Sequence, residues 1–163
     1  MNKAQAFITE LQLESEKTKV ILERIPETQL LWKPHEKSMT IGRLGLHVAE
    51  LPNWVVRVLA TEAFDFGPGP YTPRIPQTHA EIMSEFEKTL QEAIHALSGA
   101  TEEKLAENWK LHRGERTIIE VTRSSFIRRS INHMVHHRGQ LSVYLRLLNV
   151  PVPAIYGPSA DEK

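Results

Sequence analysis

Apolar residues recur with a helical period over four stretches of the chain. From about Lys3 to Ile25, Phe7, Leu11, Val20, Ile21 and Leu22 alternate with a charged face, which predicts a helix; Pro26 and Pro34 bound the connector after it. A second helix is predicted from Thr40, a suitable N-cap, through I-G-R-L-G-L-H-V-A-E-L-P-N-W-V-V-R-V-L-A. Pro52 lies inside it, removes one backbone hydrogen bond, and predicts a kink or local defect there. Gly67 to Pro76 is too rich in proline and glycine to be regular. The third helix opens on T-H-A-E, Thr78 to Glu81, which fits a capping box, and shows Ile82, Phe86, Leu90, Ile94 and Leu97 before Ser98-Gly99 stops it. A short T-E-E-K-L-A-E-N-W piece and an R-G-E turn lead to a fourth helix, from about Ile118 to Leu148, closed at Asn149 before V-P-V-P. No segment reads as a strand. The pattern predicts an all-α fold: a single domain over 1–163, built as a four-helix bundle with room for a crossover between the second and third helices.

Composition narrows the function classes. A chain of 163 residues suits one domain. Lys plus Arg and Asp plus Glu stand at 20 each, so no net field draws the chain to nucleic acid. With no cysteine, a disulfide framework, a thiolate nucleophile and any cysteine-held zinc or iron–sulfur site are excluded. The N-terminus lacks an apolar leader core, and no run approaches the ~20 apolar residues of a membrane span, so a cytoplasmic protein without membrane contact is expected.

Metal chemistry must then rest on histidine. N-H-M-V-H-H-R-G-Q-L, Asn132 to Leu141, holds His133, His136 and His137. Residues four apart share a helix face, so His133 and His137 can present nitrogens to one cation, on the stripe of Phe126, Ser130, Leu141, Tyr144 and Leu148. His136 falls about 100° away, beside Arg129, Asn132, Gln140 and Val143, and reads as a flanking residue. A two-histidine site is incomplete. His47, set among Leu44, Val48, Leu51, Val55 and Val58, is the best third ligand by the same facing argument; the other reading is a core imidazole satisfied by a hydrogen bond. His35, His79, His95 and His112 have no such argument. Glu50, a turn after His47, is a candidate general base or an exposed surface acid.

Several chemistries are absent. Met134 stands where a zincin would need glutamate, and no E-x-x-H pair of a di-iron bundle occurs in the last helix. Neither G-x-x-x-x-G-K-[ST] nor G-x-G-x-x-G is present. Ser124-Ser125 lacks an evident base, Trp32, Trp54 and Trp109 read as packing residues, and Arg138 reads as a surface arginine.

L-G-L-H-V-A-E in the Thr40-initiated helix, N-H-M-V-H-H-R-G-Q-L-S-V-Y-L-R-L-L in the last helix and the tail V-P-V-P-A-I-Y-G-P-S-A together resemble the DinB/YfiT-like metalloenzymes over nearly the whole chain. The resemblance implies a four-helix bundle with a crossover and a divalent metal, zinc or nickel, held by His47, His133 and His137. It also implies a homodimer, and an activity among thiol-dependent transferases (mycothiol, bacillithiol or glutathione) or hydrolases. The expected function is therefore a metal-dependent S-transferase or hydrolase that activates a thiol or water against a small molecule. Glu50 is its candidate base, and His136 and Gln140 support the ligands or substrate. The competing expectation is a non-catalytic metal-binding bundle with a structural or stress-response role.

Overall fold

In the computed structural model, residues 2–67, 69 and 72–162 are described. Each long helix starts on a side-chain cap. The Asn2 side-chain oxygen accepts from the Gln5 N–H at 2.8 Å at the head of α1, Lys3–Leu22. Thr40 does the same for Arg43 in α2, Ile41–Glu50, and Thr78 for Glu81 in α4, His79–Ser98. Thr122 takes the Ser125 N–H at the start of α6, Arg123–Leu147. Each cap satisfies a donor the helix leaves orphaned, worth about 1 kcal/mol. The return arm of the box at Thr78 reaches one residue further back, from the Gln77 N–H to Glu81 Oε2.

Pro52 leaves the local defect that its missing N–H predicts: Leu51 and Pro52 keep right-handed helical angles, but the Leu51 N–H bonds Val48 O and the Trp54 N–H bonds Leu51 O, three residues back instead of four. It splits the expected second helix into α2 and α3, Asn53–Ala60, across Leu51 and Pro52. α1 packs against α4 and α6, and so do α2 and α3. α1 and the α2–α3 pair therefore sit across the bundle from each other, as do α4 and α6, while α3 and α4 lie side by side; such diagonal steps require a crossover. The interior is made by Leu11, Ile21, Leu46, Ile82, Phe86 and Leu141 among others, all essentially inaccessible to water; each contributes ~1.5–3 kcal/mol relative to exposure.

The fold is mainly helical but not all-α. Between α3 and α4 lies β1, Ala63–Asp65; after α5, Glu102–Ala106, come β2, Asn108–Arg113, and β3, Arg116–Thr122. β1 pairs parallel with β2, and β2 antiparallel with β3 through a turn where Gly114 takes φ 57°. The R-G-E turn is thus a hairpin, and Ile118 to Val121, expected in the last helix, belong to a strand. Their alternation is a strand's: Ile119 and Val121 are half-buried against the core while Ile118 and Glu120 face water. β-branched residues favour that pleated surface.

Of the irregular stretch Gly67 to Pro76, Pro68, Pro70 and Tyr71 lie outside the described residues; the others form no helix or strand. Arg123, fully buried, pins the sheet to the bundle. Its guanidinium donates to the Val58 and Thr61 carbonyls and pairs with Glu62 and Glu107 at 3.0 Å each. Arg138 is not the expected surface arginine. It is buried and donates to Glu14 at 2.7 Å, to Thr18 at 3.2 Å and to the Tyr156 hydroxyl, tying the C-terminal tail to α1 and α6. Among the described residues, no helix is long and apolar enough to cross a membrane.

Candidate metal centre

α2 is sunk into the bundle because two of its glycines permit close approach. A Cβ on Gly42 would lie 2.8 Å from the Leu30 carbonyl oxygen, and one on Gly45 would lie 2.5 Å from Ile25 Cδ1. The Gly42 N–H donates to that same carbonyl at 3.0 Å, and Ile41 N–H to Trp32 O at 2.8 Å. Every residue of α2 is buried except His47 and Glu50. His47 therefore stands at the edge of the apolar stripe, half-open, rather than inside it.

Across from it, α6 presents His133 and His137 with their Nε2 atoms 2.8 Å apart. The His47 ring lies 5.1 Å from His133 and 4.7 Å from His137, between centroids. One ligating atom from each of the three residues falls within 4.8 Å of the others, and no carboxylate belongs to the group. The buried stripe of α6 is displaced from the expected one: Met134, Arg138 and Leu145 lie at its centre, His137 at its edge with 9% exposure, and His133 toward solvent. Gln140 Oε1 is 2.7 Å from His137 Nδ1. With the proton on Nδ1, the Nε2 lone pair faces the other two rings. His136 meets His137 edge-on at 4.9 Å between centroids; it is exposed and lines a shallow groove with Arg129, Asn132 and His133.

The site keeps its imidazoles neutral. Burial first, then the His137, His133 and Arg43 charges, push His47 down to about 3. His133 is lowered to about 4 by burial, then by His137, Arg129 and His136. His137 is lowered by burial, against a smaller opposing hydrogen bond from Gln140. Neutral imidazole is the form that ligates a metal.

His47 and His133 line a cavity of about 700 Å³. Glu50 lies on its wall with one carboxylate oxygen held by buried Arg43 at 2.8 Å. Trp54, assigned to packing from the sequence, both packs on Phe126 at 5.6 Å and faces the hollow. Arg57, Phe64, Phe66, Arg74 and Arg113 complete most of the wall and were not found by sequence reasoning. Only the three-residue step from Trp54 to Arg57 on α3 carried any local signal. The remaining histidines serve elsewhere: His79 Nε2 meets the Leu22 carbonyl at 2.8 Å, and His35 Nδ1 accepts from Lys37 N–H at 3.2 Å.

The DinB family model matches residues 1–163. The chain belongs to the DinB family. This DinB-family protein is 22% identical over 160 residues to the uncharacterized protein YrdA of Bacillus subtilis strain 168, covering 96% of this chain and 89% of YrdA. Its fold matches a DinB-like protein from Bacillus cereus ATCC 10987 with TM-score 0.73 at 22% identity, over 93% of this chain and 97% of that one. YfiT from Bacillus subtilis, described as a probable metal-dependent hydrolase with an unusual four-helix bundle topology, matches with TM-score 0.68 at 16% identity, over 91% and 89% of the two chains.

Proposed function

We propose that this DinB-family chain is a metal-dependent enzyme in which His47, His133 and His137 hold one divalent cation, zinc or nickel, and which acts on a small molecule as a hydrolase or a thiol-dependent S-transferase. The reading is carried by one observation: three imidazoles from two helices converge, and two of them line a cavity. The donor set fits, since imidazole suits zinc and nickel, and three protein ligands are what a catalytic zinc takes, whereas a structural one takes four. A divalent cation supplies the Lewis acidity that makes water or a thiol nucleophilic near neutral pH.

The residues around it have distinct work. Gln140 fixes the His137 tautomer, Arg43 orients Glu50, and Glu50 accepts a proton from the attacking water or thiol at the cavity wall. The hydrolase branch draws support from the description of YfiT; the transferase branch and the homodimer rest on the motif resemblance. A bundle that only stores the metal would leave the cavity without a role.

Metal content of the purified chain tests the ligand set. Wild type should hold one equivalent, and His47→Ala, His133→Ala and His137→Ala should each hold much less. Full occupancy in all three overturns it. Metal-dependent turnover of ester, amide or thiol-plus-electrophile substrates then separates an enzyme from a storage bundle.

A further inference from the structure

The cavity contains two guanidinium groups, Arg57 and Arg113, that have no acidic partner among the described residues. Trp54, Phe64 and Phe66 form its apolar wall, with ring centroids 5.5 to 5.8 Å apart and the rings steeply inclined to one another. Arg57 lies over Phe64 at 4.6 Å and over Trp54 at 5.6 Å, while Arg113 lies over Phe66 at 6.0 Å. Because the Phe64 and Phe66 rings adjoin, both arginines flank one hollow.

The acids of the same cavity are engaged. Glu50 accepts from Arg43 at 2.8 Å and Glu85 from Arg74 at 2.9 Å. Asp65 Oδ1 takes the Gly67 N–H at 2.8 Å and the Gly114 N–H at 3.0 Å, which fixes the hairpin turn beside Arg113. Among the described residues, no carboxylate lies within 4.0 Å of Arg57 or Arg113. A guanidinium held near a ring by cation–π attraction keeps its in-plane N–H donors, in the fork that matches a carboxylate.

We propose that the cavity takes a small planar aromatic carboxylate. Arg57 and Arg113 hold the carboxylate, Trp54, Phe64 and Phe66 contact the ring, and the far end of the ligand points toward His47 and His133. This names the substrate class of the enzyme proposed above and rests on that reading for its catalytic meaning, but the binding itself does not require the metal.

Calorimetric titration of the full-length chain with 2-naphthoate, and with neutral 2-naphthamide, tests it in zinc-loaded and chelator-treated protein. Naphthoate should bind about tenfold more tightly than the amide in both states. Arg57→Gln and Arg113→Gln should each weaken naphthoate by about five- to tenfold and leave the amide nearly unchanged; Trp54→Ala should weaken both. Circular dichroism establishes that the variants are folded. Equal affinity for acid and amide, no naphthoate binding at millimolar concentration, or arginine variants that bind like wild type would each overturn the proposal. So would binding that vanishes with the metal, since the carboxylate would then be held by the cation. A chain that binds naphthoate through the arginines but holds no metal sinks the enzyme reading and leaves this one standing.

Discussion

His137 Nδ1 and Gln140 Oε1 lie 2.7 Å apart on one turn of α6, on the opposite side of the imidazole from His133. With the proton on Nδ1, the ring N–H donates to the amide oxygen and Nε2 is the nitrogen left to ligate. Gln140→Leu removes that acceptor from an exposed position, so the fold should survive while zinc affinity falls by about 10- to 100-fold. Competition against a chromophoric chelator measures it. An unchanged affinity would remove Gln140 from the site, and Gln140→Glu should bind metal like wild type.

Stability of the metal-stripped chain should depend on pH through its depressed histidines. His47 and His133 ionise near 3 and 4 when folded, against an ordinary 6.5. Below pH 6.5 the unfolded chain therefore binds protons that the folded chain refuses, so folding stability falls as pH drops from 6.5 toward 4. Above pH 7 these groups contribute no slope. Urea unfolding between pH 4.5 and 7.5 reads the decline, and His47→Asn with His133→Asn should flatten it. An equally steep decline in that double variant would assign the effect to other groups.

Arg138 and Glu14 hold the C-terminal tail. Burial alone would raise the Glu14 carboxyl, but hydrogen bonds from Tyr156 and Arg138 outweigh it and keep it below the ordinary value. Arg138→Met removes the buried partner of that carboxylate and leaves it only the Tyr156 hydroxyl and Lys17 at 3.5 Å, at an expected cost of about 3 kcal/mol in denaturant unfolding. Adding Glu14→Gln should recover part of the loss, because the two side chains act as a unit. Strict additivity would mean the pair is not coupled.

Gly42 and Gly45 should differ although both lie in α2. Alanine favours a helix over glycine by about 1 kcal/mol. At position 42 the new Cβ meets the backbone oxygen that already accepts the Gly42 N–H, and neither can move freely. At position 45 it meets chiefly the terminal methyl of Ile25, which can rotate away. Gly42→Ala should destabilise by about 1–3 kcal/mol and Gly45→Ala by less. Thermal unfolding ranks them, and a stabilised Gly42→Ala would show that α2 is not pinned at Leu30.

What could be read from the chain depended on how local the signal was. The spacing of Leu44, Val48 and Leu51 turned His47 toward the bundle, and the four-residue step from His133 to His137 put two imidazoles on one face, so all three meet where helical geometry sends them. The sheet escaped notice because T-I-I-E-V-T runs straight into a capped helix at Thr122, and its period of two was absorbed into the helical pattern. Arg138 looked like a surface cation, and Arg123 drew no notice, for a different reason. Their partners Glu62 and Glu14 lie 61 and 124 residues away, a distance no periodicity encodes. The cavity wall was hidden for both reasons at once, since Phe64, Phe66 and Arg113 sit in or beside the unrecognised strands.

The break at Pro52 gives the molecule a division of labour. His47 and Glu50 belong to a short helix whose position is set by Thr40 and by the Gly42–Leu30 contact. Trp54 and Arg57 belong to the next helix, on the far side of the proline defect. Replacements in the second segment can retune what the cavity admits while the axis that carries His47 stays where its own anchors put it. Two neighbouring stretches of one chain thus answer to different anchors, one carrying the candidate ligand His47 and the other part of the cavity's lining.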